Sequence, residues 1–70
     1  MMRETLAQIH AGGGKPFSAG IVLWDNVVVE AAPIVGYMKK GKWTRDRVRA
    51  YCAEKGWKVT VVHELTRNRT

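Results

Sequence analysis

The chain has seventy residues, with twelve Lys and Arg against six Asp and Glu, and a net charge of +6. That length makes one small domain burying only about 60% of its unfolded surface, too little for the core of a large enzyme. A single cysteine excludes an internal disulfide, two histidines leave a structural zinc site short of ligands, and no apolar run approaches the roughly 20 residues that span a bilayer.

Residues 1–16 begin without a signal-peptide hydrophobic region, because polar residues interrupt the stretch every few positions. Leu6 and Ile9, three apart, allow at most a short helical turn before Gly12-Gly13-Gly14 breaks it, so this segment is expected as a flexible leader. The triple glycine followed by Lys15 is no phosphate loop. No strand precedes it, Pro16 follows it, and the G-x-x-x-x-G-K-[ST] spacing is absent.

From Ala19 the pattern becomes β. Gly20–Trp24 and Val27–Ala31 are rich in β-branched and aromatic residues and are separated only by Asp25-Asn26, which tolerates positive φ. A two-residue hairpin turn is expected, with Trp24 opposite Val27 and Val22 opposite Val29 on a wholly apolar face that should meet the core. Ile21, Leu23, Val28 and Glu30 would then lie on the other face. Pro33 suits the start of a short helix with Ile34, Tyr37 and Met38 as its apolar stripe, stopped near Gly41. Gly36 weakens that helix toward a partly 3₁₀ form.

Thr44 is spaced as the N-cap of a second helix, Arg45 to about Lys55, with Trp43 and Val48 as a hydrophobic staple and Gly56 as the left-handed cap. Val48, Tyr51 and Cys52 form its inward stripe. Trp57–His63 alternates as a third strand, with Trp57, Val59, Val61 and His63 on one face. Residues 65–70 are polar and expected to fray. The predicted fold is therefore a small α+β domain over residues 17–64, in the order ββααβ, with a three-stranded sheet packed on two helices.

The charge is concentrated. Lys39–Lys58 holds eight basic and two acidic residues, which equals the net charge of the whole chain. Two helices joined through Gly41–Thr44 have helix-turn-helix spacing. On the wheel Arg45 and Arg49 share a flank, while Arg47 points about 160° away. Lys39, Lys40 and Lys42 cluster at the interhelix turn, where phosphate contacts add affinity without sequence choice. The expected site is thus Lys39, Lys40, Lys42, Arg45 and Arg49, contacting DNA or RNA phosphates. Against it stands a solvated basic helix that aids solubility or docks on an acidic protein.

Trp43 and Trp57, at the ends of the second helix, suit the edge of a thin core better than a base-stacking platform. Cys52 falls on the buried stripe as an inert thiol, and neither it nor His10 or His63 has the partners of a nucleophile or a ligand set. No paired carboxylates occur, so no catalysis, metal or cofactor is expected. The unpaired cysteine fits a reducing cytoplasm, and the protein is expected to be soluble there, as a monomer or as a homodimer through the open hairpin edge.

FSAGIVLWDNVVVEAAPIVGYM followed by WTRDRVRAYCAEKGWKVTVV, residues 17–62, resembles a type of short bacteriophage and prophage protein. The "AAPI" run, the Tyr37-Met38 pair, the W-T-x-x-R-V start and the "KGW-x-V" ending carry the resemblance. It implies a shared fold and a phage-type origin but no particular activity. Such proteins commonly bind host or phage machinery, which gives the alternative function: an inhibitor or adaptor that acts on another protein.

Overall fold

The computed structural model describes residues 2–14 and 16–67. Its strands are β1 (Met2–Ala11), β2 (Phe17–Trp24), β3 (Val27–Ala31) and β4 (Lys58–Arg67). Between β3 and β4 run a 3₁₀ turn (Pro33–Val35) and two helices, α1 (Gly36–Lys40) and α2 (Arg45–Lys55). The strands form one antiparallel sheet in the order β3-β2-β1-β4. Among the described residues no helix is long and apolar enough to cross a membrane.

The sheet corrects the expected architecture. It has four strands rather than three, and the added strand is the segment expected to be a flexible leader. Of Met2–Ala11, residues 4–11 pair with β2 on one side and residues 2–10 with β4 on the other. The physical reason lies in its alternation. Thr5, Ala7, Ile9 and Ala11 are all buried on one face, while Leu6, Gln8 and His10 point to the other. Three of the four buried residues are small or polar, so the period-2 signal is faint in hydrophobicity although complete in geometry. Residues 65–67, expected to fray, continue β4, whereas Lys15 and residues 68–70 lie outside the described residues.

The hairpin turn forms at Asp25 and Asn26, with φ of 50° and 68°, and Trp24 pairs with Val27. One step further the register slips. Leu23 pairs with Val28 and Val22 with Glu30, leaving Val29 as a bulge. The faces are also reversed from expectation: Ile21, Leu23 and Val28 are the core residues, and Trp24 is 45% exposed. Both hairpin faces are apolar, so the partner decides. β1 brings Thr5, Ala7, Ile9 and Ala11 to one of them, and the helices cover that one.

The helical layer buries Val35, Met38, Trp43, Val48 and Cys52 against it. Val35 replaces Ile34 in the inner stripe, because the 3₁₀ turn over Pro33–Val35 rotates Ile34 outward to 55% exposure. Thr44 caps α2 by accepting the Arg47 backbone N–H at 3.3 Å, and Gly56 closes it at φ 75°.

Trp43 is the hub of this layer. Tyr37 and Tyr51 meet its ring edge-on at 5.4 and 5.0 Å between centroids, and Trp57 and Phe17 continue the chain of rings. Gly41 makes that placement possible, since a Cβ there would lie 2.7 Å from Trp43 Nε1 and 2.8 Å from Cδ1. We expect Gly41→Ala to cost about 1–3 kcal/mol in a urea melt, the range for overpacking against a bulky ring. Gly36→Ala, where a Cβ meets open space on a helical backbone, should instead be neutral or stabilising by about 0.4–1 kcal/mol.

Candidate functional site

The five predicted phosphate-contacting cations do not share one environment. Lys39 Nζ lies 3.0 Å from Glu30 Oε1, reaching the β3 edge. Arg45 Nη1 donates to Glu64 Oε1 at 3.1 Å, and buried Thr5 donates its hydroxyl to the same oxygen at 3.4 Å. Lys40, Lys42 and Arg49 are exposed and make no ion pair among the described residues. Arg47, turned away on the wheel, places its guanidinium carbon 4.3 Å from the Trp43 ring centroid, and Lys55 Nζ lies 5.5 Å from that of Tyr51. Both are cation–π contacts that hold these charges on the aromatic seam.

The start of α2 is tied to the hairpin turn. Its first N–H, of Arg45, donates to the Asn26 carbonyl at 2.8 Å, and the Val28 N–H donates to Trp43 O at 2.9 Å. The hairpin turn therefore abuts the start of the helix, and α1 before it is five residues long.

Two hollows flank α2 instead. A cleft of about 460 Å³ at its N-terminus is lined by Arg3, Arg45 and Arg49 together with Asp25 and Asp46. Arg3 has no place in the predicted site, because residues 1–16 read as a leader. It is held there by two backbone bonds: its N–H donates to Asp25 Oδ1 at 2.9 Å, and its carbonyl accepts from the Asp25 N–H at 2.8 Å. The two aspartates offset much of the cationic character of this cleft.

The second hollow is a slot of about 60 Å³ between α2 and the sheet, walled by residues of β1 and β2, Ile21 and Leu23 among them, and by Val59 and Val61 of β4, with Arg45 and Arg49 of α2 also lining it. It exists because β4 extends past the cover of α2, which leaves Val61 42% exposed. Among the described residues β4 pairs only with β1, so the other edge of this ten-residue strand is open there. The opposite edge of the sheet differs: β3 has only five residues, and Val27 makes an isolated bridge to Thr44. A bulge after Val61 divides the β4 edge and turns His63 to the face opposite that of Val61, against the expected alternation.

Cys52 is 1% exposed, and desolvation raises its thiol pKa above the ordinary 9.0, so it stays protonated. The Tyr37 hydroxyl donates to Tyr51 at 3.4 Å. Desolvation first, then that hydrogen bond and the charges of Tyr51 and Cys52, push its pKa up from 10.0 to about 12. A raised folded-state pKa favours the neutral phenol in the fold. Its contribution is therefore complete below pH 10 and is lost as pH rises from 10 through 12. Urea midpoints followed across that window should fall, and Tyr37→Phe should flatten the fall.

No family model, curated protein or solved structure matches the chain.

Proposed function

We propose that the protein is a non-catalytic binding module that takes an extended segment of a partner protein along the open edge of β4. The observation that carries this is the combination of a β4 edge that is unpaired among the described residues with an apolar slot under α2 that Val59 and Val61 of the same strand help to wall. An added strand gains main-chain hydrogen bonds from the edge, and its alternate side chains turn toward α2. The slot has room for one aliphatic side chain, whose burial is worth about 1.5–3 kcal/mol. Arg49 at the rim, with no ion pair among the described residues, favours a carboxylate on the incoming segment. The resemblance to small phage proteins supports the same reading, since such proteins commonly act by binding other machinery.

A second reading, binding to DNA or RNA phosphates, is favoured by the net charge of +6 and by the exposed Lys40, Lys42 and Arg49. It is weakened by the ion pairs that engage Lys39 and Arg45.

A selection from a displayed random-peptide library separates the two. The protein-binding reading expects enriched peptides with an aliphatic residue near an acidic one, and titration calorimetry should show binding lost in Val61→Lys. The phosphate reading expects gel shifts of random duplex or single strands at low salt, with affinity falling steeply as salt is added. An empty selection together with a steep salt slope would reject the β4 proposal.

A further inference from the structure

The helices cover one face of the sheet, and the register shows what the other presents. Across the four strands, Glu30, Val22, Leu6 and His63 form one row, and Val27, Trp24, Glu4 and Leu65 form the next. Leu6, Trp24 and Leu65 are between 38% and 45% exposed, with half-buried Val22 among them. These side chains are adjacent by register, not scattered, and nothing among the described residues covers them. A contiguous apolar patch on a sheet face calls for a second layer.

We infer that this second layer is another copy of the chain, stacked sheet on sheet about a two-fold axis parallel to the strands. The polar residues of the outer strands choose the axis, since an imidazole N–H can donate to a carboxylate whereas two carboxylates repel. An axis across the strands through the Leu6 row would stack Glu30 on Glu30 and His63 on His63. An axis along the strands, between β1 and β2, lays Val22 on Leu6 of the second copy and brings Glu30, whose carboxylate also pairs with Lys39 at the β3 edge, over its His63. Symmetry makes each of these contacts twice. It also sets Ser18 over His10 of the second copy, the polar pair that already bonds at 2.8 Å within one chain. Trp24 falls over the Glu4 of the second copy, and each Glu4 already accepts its own Trp24 Nε1 at 2.9 Å.

Area sets the strength. Four strands about 4.8 Å apart and eight or so residues long present about 500 Å² per copy, or about 1,000 Å² for the pair. That sits at the lower limit for a specific interface, so the dimer forms in the micromolar range and dissociates on dilution. The open edge of β4 lies outside the stacked faces, so peptide capture and dimerisation stand or fall separately.

Sedimentation equilibrium on the full chain from about 1 µM to about 1 mM tests this. The wild type should pass from monomer to dimer over that range, with a blue shift of Trp24 emission. Leu6→Glu, on the uncovered face, should keep the circular dichroism spectrum and raise the dissociation constant about a hundredfold. Glu30→Lys should weaken the dimer about tenfold, and adding His63→Glu should restore it. A monomer at every concentration, a dimer indifferent to Leu6→Glu, or a double variant that fails to recover would overturn the inference.

Discussion

Deleting residues 2–11 should leave a chain with no cooperative thermal transition and a far-ultraviolet spectrum lacking the β signal. Among the described residues β1 is central, the one neighbour of β4 and one of the two neighbours of β2. Without it Thr5, Ala7, Ile9 and Ala11 leave the buried face, and β4 has no strand to pair with. A domain of this size holds roughly 4–10 kcal/mol in total. Ile9, fully buried, shows the scale. Ile9→Ala alone is expected to cost about 2–5 kcal/mol, lowering the melting temperature by ten degrees or more at about 4–8 °C per kcal/mol. If the truncated chain melts like the intact one, the central role of β1 is wrong.

Trp43→Ala is the second large effect. The indole is 9% exposed and touches Tyr37 and Tyr51 edge-on, with Arg47 stacked on it. Its loss leaves a void at the junction of α1, α2 and the hairpin, where its backbone also accepts the Val28 N–H. Large aromatic truncations of this kind cost about 3–5 kcal/mol. The chain should be largely unfolded at 37 °C. Trp43→Phe keeps a ring in the seam and should retain a cooperative urea transition at a lower midpoint. A Trp43→Ala midpoint equal to wild type would show that the ring is not part of the core.

Local features were legible because single residues encode them. Asp25-Asn26 specified the turn, Thr44 the cap of α2 and Gly56 its left-handed end. β1 was hidden because its buried face is mostly alanine and threonine, and because Leu6 and Ile9, three apart, mimic a helical pair while sitting on opposite faces of a strand. The hairpin faces could not be assigned from β2 and β3 alone, since Val22 and Trp24 are as apolar as Ile21 and Leu23. Only the pairing with β1 breaks the tie. The bulges at Val29 and Val62 leave no local mark, and the second of them inverts His63.

For the site, the concentration of charge in Lys39–Lys58 was visible, but the ion pairs that engage Lys39 and Arg45 were not. Glu30 and Glu64 reach Lys39 and Arg45 from distant strands, and Arg3 enters the cleft from a strand that the sequence disguises. The slot beside β4 depends on how far α2 covers the sheet, a property of packing rather than of any motif.

The pairing of β1 with β4 also governs when the protein can fold. β1, β2 and β3 form a meander of near neighbours in the chain, which can assemble as soon as it is made. Met2, however, pairs with Arg67, so the last strand closes against the first across nearly the whole sequence. Contacts at such separation are slow to form, because the loop entropy must be lost before they gain anything. During synthesis the outer edge of β1 therefore waits, unpaired, until residue 67 has left the ribosome. That interval, rather than the finished fold, is when the chain is most exposed to pairing with the wrong strand.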